Sequence, residues 1–275
     1  MKITNQRNKL IIHLILILGS LLMVLPFVWM ILTSGKTLAE SMAVPPQIFP
    51  QKFQWSNYSA LLDSLPFLKF YSNTFLMTIG RVIGSVLFSA MAAYAFARIE
   101  FPFRNFLFSL VFIQMMIPGQ IFIIPQYLLV QKLQLLDSIW ALIIPGIISA
   151  FGTFLLRQFF MSIPGELEEA ARLDGCNVWQ IFFKIMLPLA RSGLIALAIF
   201  TALFSFKDLM WPLIVNVSED KMTLSSGLAK LQGQYATNFP QLMAGALLAI
   251  WPMLLVFIIF QKQFISGVAK SGAKL

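Results

Sequence analysis

The sequence predicts an all-α, polytopic membrane protein with about six transmembrane helices. Of 275 residues, 59% are hydrophobic and 11% charged, and the mean hydropathy is +0.82. A water-soluble domain carries about 25% charged residues, so a chain this poor in charge cannot cover its surface in water. The apolar residues gather into long continuous runs, each close to the ~20 residues a helix needs to cross the hydrocarbon core. They do not form the short alternating segments of a transmembrane β-barrel.

The runs cover roughly Leu10–Thr33, Phe70–Ala97, Asn105–Val130, Ser138–Leu156, Leu189–Trp211 and Pro240–Phe260 within a single transmembrane domain over residues 1–275. The first follows Lys2, Arg7 and Lys9, as a signal peptide would. Its apolar part exceeds the usual ~7–15 residues, and no small-x-small site closes it, so a retained helix is expected. In the second run Gly80 and Gly84, with Ser85, Ser89 and Ala92, form a small-residue face. Such a face packs closely, either within this chain or against another. Pro118, Pro125 and Pro145 should kink the third and fourth runs.

Arg81, Lys207 and Asp208 are charges inside apolar runs. A charge at the bilayer centre costs ~2.5–3.5 kcal/mol on insertion scales, so each must face protein or water. They are candidates for lining a transport path or for structural pairing. Arg81 lies near mid-span and Asp208 near the end of the fifth run, so a direct pair would need a long reach.

Orientation follows from Lys and Arg. With the N-terminus inside, Lys2, Arg7, Lys9, Arg98, Arg104, Arg157, Arg172, Lys184, Arg191, Lys262, Lys270 and Lys274 share the cytoplasmic side. Lys36, Lys52, Lys69, Lys132, Lys221 and Lys230 share the other. The two-to-one bias favours both termini in the cytoplasm. The net charge of +9 then reflects basic cytoplasmic loops, not nucleic-acid binding. The lone Cys176 and lone His13 provide neither an internal disulfide nor a Cys/His metal cluster.

Two loops separate the runs. Ser34–Lys69 is polar, holds Pro45, Pro46 and Pro50, and should lie outside. Arg157–Pro188 should lie inside and holds Glu166, Glu168, Glu169 and Asp174. There Pro164 suits a first helical position, the glutamates complement the helix dipole, and Gly175 suits the positive-φ turn past the helix end. A second short helix follows from about Asn177 to Leu187, before Pro188. A rigid helix between two spans suits contact with a soluble partner. An interfacial helix lying on lipid is the alternative.

Glu169-Ala170-Ala171, Gly175, Ile185 and Leu187-Pro188, at these spacings, resemble the EAA motif of ABC importer permeases. Ala93–Arg98, Phe206–Leu213, Thr223–Leu228 and Leu231–Tyr235 are similar to segments of the carbohydrate-uptake, maltose-type branch, with six spans. Lys207 and Ser225 depart from that pattern. The resemblance implies an inner-membrane permease subunit of a binding-protein-dependent sugar importer, not an enzyme. Glu169, Ala170, Ala171, Asp174, Gly175, Ile185, Leu187 and Pro188 would form a coupling helix and loop that dock on an ATPase. The implied partners are a second homologous permease, two ATPase subunits and an extracytoplasmic solute-binding protein. No cofactor is expected on this chain, because the P-loop-like Ser34–Thr37 has Met30 where that motif needs glycine. ATP use falls to the ATPase. A stand-alone secondary transporter or channel would need internal repeats that the chain lacks. An intramembrane enzyme would need a catalytic set that its isolated charges do not supply.

Overall fold

In the computed structural model, residues 6–232 and 237–272 are described, with side chains over 9–232 and 237–261. Lys2, Lys274 and residues Gly233, Gln234 and Tyr235 lie outside the described residues, as do the side chains of Arg7, Lys262 and Lys270.

Helices dominate, in the order α1 (Gln6–Ser34), α2 (Leu38–Ser41), α3 (Ser56–Ser64), α4 (Phe67–Arg98), α5 (Arg104–Met116), α6 (Ile123–Lys132) and α7 (Ile139–Ile143). Then come α8 (Ala150–Met161), α9 (Glu166–Leu173), α10 (Val178–Ile181), α11 (Leu187–Leu189), α12 (Arg191–Phe206), α13 (Met210–Val215), α14 (Leu224–Ala229) and α15 (Phe239–Gly272). Three helices are long and apolar enough to cross a membrane, within Lys9–Ser34, Phe67–Arg98 and Phe239–Gln261. Three bent pairs bring the count to as many as six if each pair is one span.

The bends have local causes. The run over 105–130, expected as one span, breaks after Met116 and turns by 103°. Pro118 lacks an N–H and biases Ile117 to extended backbone, seen at φ −86° and ψ 128°. Pro145 and Gly146 form a 3-10 turn, and Ser149 restarts the chain as an N-cap that accepts from the Gly152 N–H at 2.9 Å, giving a 43° bend. The fifth run bends by 76° near Ala190. Its helix also stops at Phe206, short of the expected Trp211.

The chain divides into two compact units. The first comprises Met1–Pro66 and Gly227–Trp251. Here the residues from Lys9 to Trp29 are all exposed, as suits contact with lipid or another subunit rather than a buried core. The Lys36 side chain is buried, with Nζ 4.4 Å from the centre of the Trp29 ring. The Asn57 amide donates to the Ser34 and Lys36 carbonyls, each at 2.8 Å, fixing the turn after α1.

The second unit comprises Phe67–Ser226 and Pro252–Leu275. Its centre is α4, packed on α8 and α12. The small-residue face packs within the chain: a Cβ on Gly80 would come within 2.8 Å of Ile143, and one on Gly84 within 2.5 Å of Ile147. One apolar cluster joins Tyr94, Phe160, Ala171, Phe182 and Leu197. Another joins Met77, Leu142, Trp211 and Val215.

Candidate functional site

Two places in the second unit gather chemistry, one at each half of α4. At the C-terminal half, α9 starts at Glu166, two residues later than Pro164 would have set it. Gly165 takes the flanking position, in helical backbone. Past the other end the Gly175 N–H donates to the Arg172 carbonyl at 3.0 Å, and the Cys176 N–H to Ala171 at 2.9 Å. This double bond is a Schellman turn, and it requires Gly175 in left-handed backbone, found at φ 81°. Nothing lies within 4 Å of a Cβ built there, so only the backbone conformation demands glycine.

Asn177 and Gln180 then form a reciprocal capping box at 2.8 and 2.9 Å. The following helix passes through a π turn over Phe182–Met186 before Leu187 and Pro188. Pro188 cannot donate to a preceding carbonyl, and a wider turn accommodates that loss. Ile185 and Leu187 pack against the Tyr94–Phe182 cluster.

Helix facing decides what α9 presents. Glu168 and Ala171 point inward, both 5% exposed. Glu168 faces the Tyr94 hydroxyl, with Arg98 and Arg172 close by. The Arg98 Nη2 donates to the Phe160 carbonyl at 2.6 Å and to the Ile163 carbonyl, closing the end of α8. Glu169, Ala170, Asp174 and Gly175 are exposed. So are Leu167 and Leu173, at 43% and 89%. Ala171 was expected to face a partner together with Ala170. Instead it lies in the core with Glu168, three residues earlier on the same face of α9, packed in the cluster of Tyr94, Phe160 and Phe182. The outward apolar stripe is Leu167, Ala170 and Leu173, at the i, i+3 spacing of one helix face. Neither leucine was among the expected coupling residues. The signal was the three-residue spacing itself, which becomes readable once Glu168 is recognised as the buried carboxylate.

At the other half, Arg81 makes the direct pair that seemed to need a long reach. Its Nη1 lies 2.8 Å from the Asp208 Oδ2, and its Nε donates to the Leu142 carbonyl at 2.7 Å. Asp208 lies in the break between α12, which ends at Phe206, and α13, which starts at Met210, and the arginine side chain reaches it there. Asp208 Oδ1 accepts from the Trp211 N–H at 3.4 Å, and the Trp211 indole donates to the Ala141 carbonyl at 2.8 Å. Gly146 gives the arginine its passage, since a Cβ there would fall 2.6 Å from the Arg81 Cδ. Lys207 does not join the pair. It is exposed, with Nζ 4.7 Å from the centre of the Phe204 ring. Arg81 and Asp208 border an open cavity of about 940 Å³.

The model of the family described as "Binding-protein-dependent transport system inner membrane component" matches residues 85–270. The arabinooligosaccharides transport system permease protein AraQ of Halalkalibacterium halodurans is 43% identical over 204 residues, which cover 74% of this chain and 73% of that protein. AraQ of Bacillus subtilis is 34% identical, covering 97% of this chain and 96% of that protein. The sn-glycerol-3-phosphate transport system permease protein UgpE of Pectobacterium atrosepticum is 32% identical, covering 98% and 99%. In fold the chain is similar to a crystal structure of a bacterial ABC transporter involved in the import of the acidic polysaccharide alginate. The TM-score is 0.81, with 24% identity over 95% of this chain and 98% of that one. Matched over most of its length by the family model and by full-length relatives, the chain belongs to the binding-protein-dependent transport system inner membrane components, as a multi-pass permease subunit of an ABC importer.

Proposed function

We propose that this chain pairs with a second, homologous permease to form the translocation path of an ATP-driven importer for a carbohydrate or related solute. It crosses the membrane six times, with both termini cytoplasmic. A solute-binding protein outside delivers the cargo, and two cytoplasmic ATPase subunits bind and hydrolyse the ATP. The relatives' names support the solute class, being those of an arabinooligosaccharide and an sn-glycerol-3-phosphate permease. Arg81, Asp208 and the neighbouring Lys207 belong to the path through the membrane.

The observation that carries the reading is the stripe of Leu167, Ala170 and Leu173 on α9. A leucine 89% exposed on a short helix is anchored from behind by Glu168 and Ala171 and closed by a stiff turn at Gly175. Such a helix can enter a cleft on an ATPase and pass its motion to α4 through Tyr94 and Arg98. Glu169, Asp174 and the Ile185–Pro188 segment complete the coupling surface. The test is purification of the assembled transporter through a tag on this chain. The native form should bring the ATPase with it. Leu173→Asp should insert and pair with the second permease yet lose the ATPase. If Leu173→Asp retains the ATPase and transports normally, α9 is only an interfacial helix.

A further inference from the structure

Two arginines meet where the ends of α4, α5 and α8 come together. The Arg157 Nε donates to the Phe96 carbonyl at 3.2 Å, and the Arg104 Nη1 to the Ile99 carbonyl at 3.3 Å. Both carbonyls belong to the C-terminal end of α4, where a helix leaves acceptors unfilled. The two guanidinium groups are thereby tied to one helix end, close enough to repel each other. Arg157 is fixed further by the Phe108 ring, whose centre lies 4.1 Å from its Cζ. Glu100, the nearest acid in the chain to Arg104, makes no ion pair with either arginine among the described residues. Both Nη groups of Arg157, and the Nε and Nη2 of Arg104, have no hydrogen-bond partner among those residues. Like charges held side by side cost energy, and paired guanidinium forks match the oxygens of a phosphate group.

The surroundings choose among anions. Arg104 opens α5, and from there Phe106, Leu110 and Ile113 run down one face, all exposed. The surface at Arg104 dips into a shallow cavity of about 350 Å³, which Phe101, Phe103 and Asn105 also border. A cationic site at the head of an apolar stripe on a membrane helix fits a phospholipid, with its phosphate at the arginines and a chain along the helix. A free anion would use only the upper part. A zwitterionic headgroup would bring its own cation, which two guanidinium groups repel. Resting on the reading above that the bent pair α5–α6 spans the membrane, we infer that Arg104 and Arg157 bind the headgroup phosphate of an anionic phospholipid whose acyl chain lies along Phe106, Leu110 and Ile113.

The test is native mass spectrometry of the complete transporter, released from nanodiscs of mixed phosphatidylglycerol and phosphatidylcholine. The native complex should hold its tightest phosphatidylglycerol about tenfold more firmly than phosphatidylcholine. Arg104→Gln/Arg157→Gln should erase that difference. Lys184→Gln/Arg191→Gln, which removes two other exposed cations, should keep it. If the first double variant does not assemble, Arg104→Gln alone gives up only a 3.3 Å bond and should still weaken the hold by about threefold. Inorganic phosphate should not displace the lipid. Displacement by phosphate would assign the site to a free anion and overturn the inference. So would an equal loss from the Lys184 and Arg191 changes, which would mean diffuse charge. A hold that no arginine change weakens would show the pair covered by another subunit, and would overturn it too. Failure of the span reading shows separately, as a Leu110→Cys thiol, in a Cys176→Ser background, that a water-soluble maleimide reaches in the nanodisc.

Discussion

Two arginines on α4 do the same local job and stand on different ground. Arg98 and Arg81 each donate to main-chain carbonyls at a place where a neighbouring helix ends or kinks, at Phe160 and Ile163 in one case and at Leu142 in the other. Among the described residues Arg98 has no carboxylate in hydrogen-bonding contact, and its Nε has no partner. Arg81 holds Asp208. The difference is depth. A charge near the end of a long helix can draw on water, whereas one in the middle of a span must bring its counter-charge with it. Residues that serve the same helix-end role therefore differ in how much depends on them.

Arg81→Ala should do the most damage. It leaves Asp208 without its cation, and removing one partner of a buried pair costs about 3–5 kcal/mol. The assembled chain should lose folded yield and melt well below the native form in detergent. Removing Asp208 as well, in Arg81→Ala/Asp208→Ala, should recover much of the loss. No recovery would mean that the Leu142 bond, not the ion pair, carries the effect. At the Arg98 end the nearest equivalent is Ala171→Trp. It overpacks the cluster around Phe160 and Phe182 and should cost about 1–3 kcal/mol or more. Ala170→Trp on the exposed face should leave the melting point unchanged while displacing the ATPase. Equal thermal effects from the two would show that α9 faces differently.

Arg98→Ala should be milder than Arg81→Ala, about 1.5 kcal/mol for lost charge-assisted bonds, because it strands no buried acid in direct contact. A larger loss than that of Arg81→Ala would reverse the depth argument. Gly175→Val should cost about 1 kcal/mol through its left-handed backbone, and Gly175→Asn should restore most of it.

The smallest effect belongs to Asp137. Its carboxylate accepts from the Val217 and Ser218 N–H groups at 3.0 Å each and from the Ser218 hydroxyl. Burial pushes its pKa up. The Ser218 hydroxyl and N–H, the Val217 N–H and Lys221 outweigh that and hold it below the ordinary carboxylate value. A depressed value means stability that is present at neutral pH and lost as pH falls through the folded pKa. Asp137→Asn should thus melt slightly below the native form at pH 7, and the gap should close below about pH 4. A gap independent of pH would assign the effect to shape alone.

What the sequence revealed depended on how local the cause was. Gly175 was legible because the turn needs one residue type at one position. The kink at Pro118 was legible for the same reason, though not its size of 103°, which depends on what the following segment packs against. The facing of Ala170 and Ala171 was not, since it is set by which side of α9 packs against Tyr94, Phe160 and Phe182, residues distant in the chain. The Arg81–Asp208 contact was hidden because it joins residues 127 apart, at a break after Phe206 that no single residue announces.

The clasp at Asp208 also constrains ancestry. One oxygen holds Arg81 and the other caps the turn before Trp211, so neither partner can drift alone without a poorly folded intermediate. A change at either residue is tolerated best when the other changes with it, so the two positions form one heritable unit.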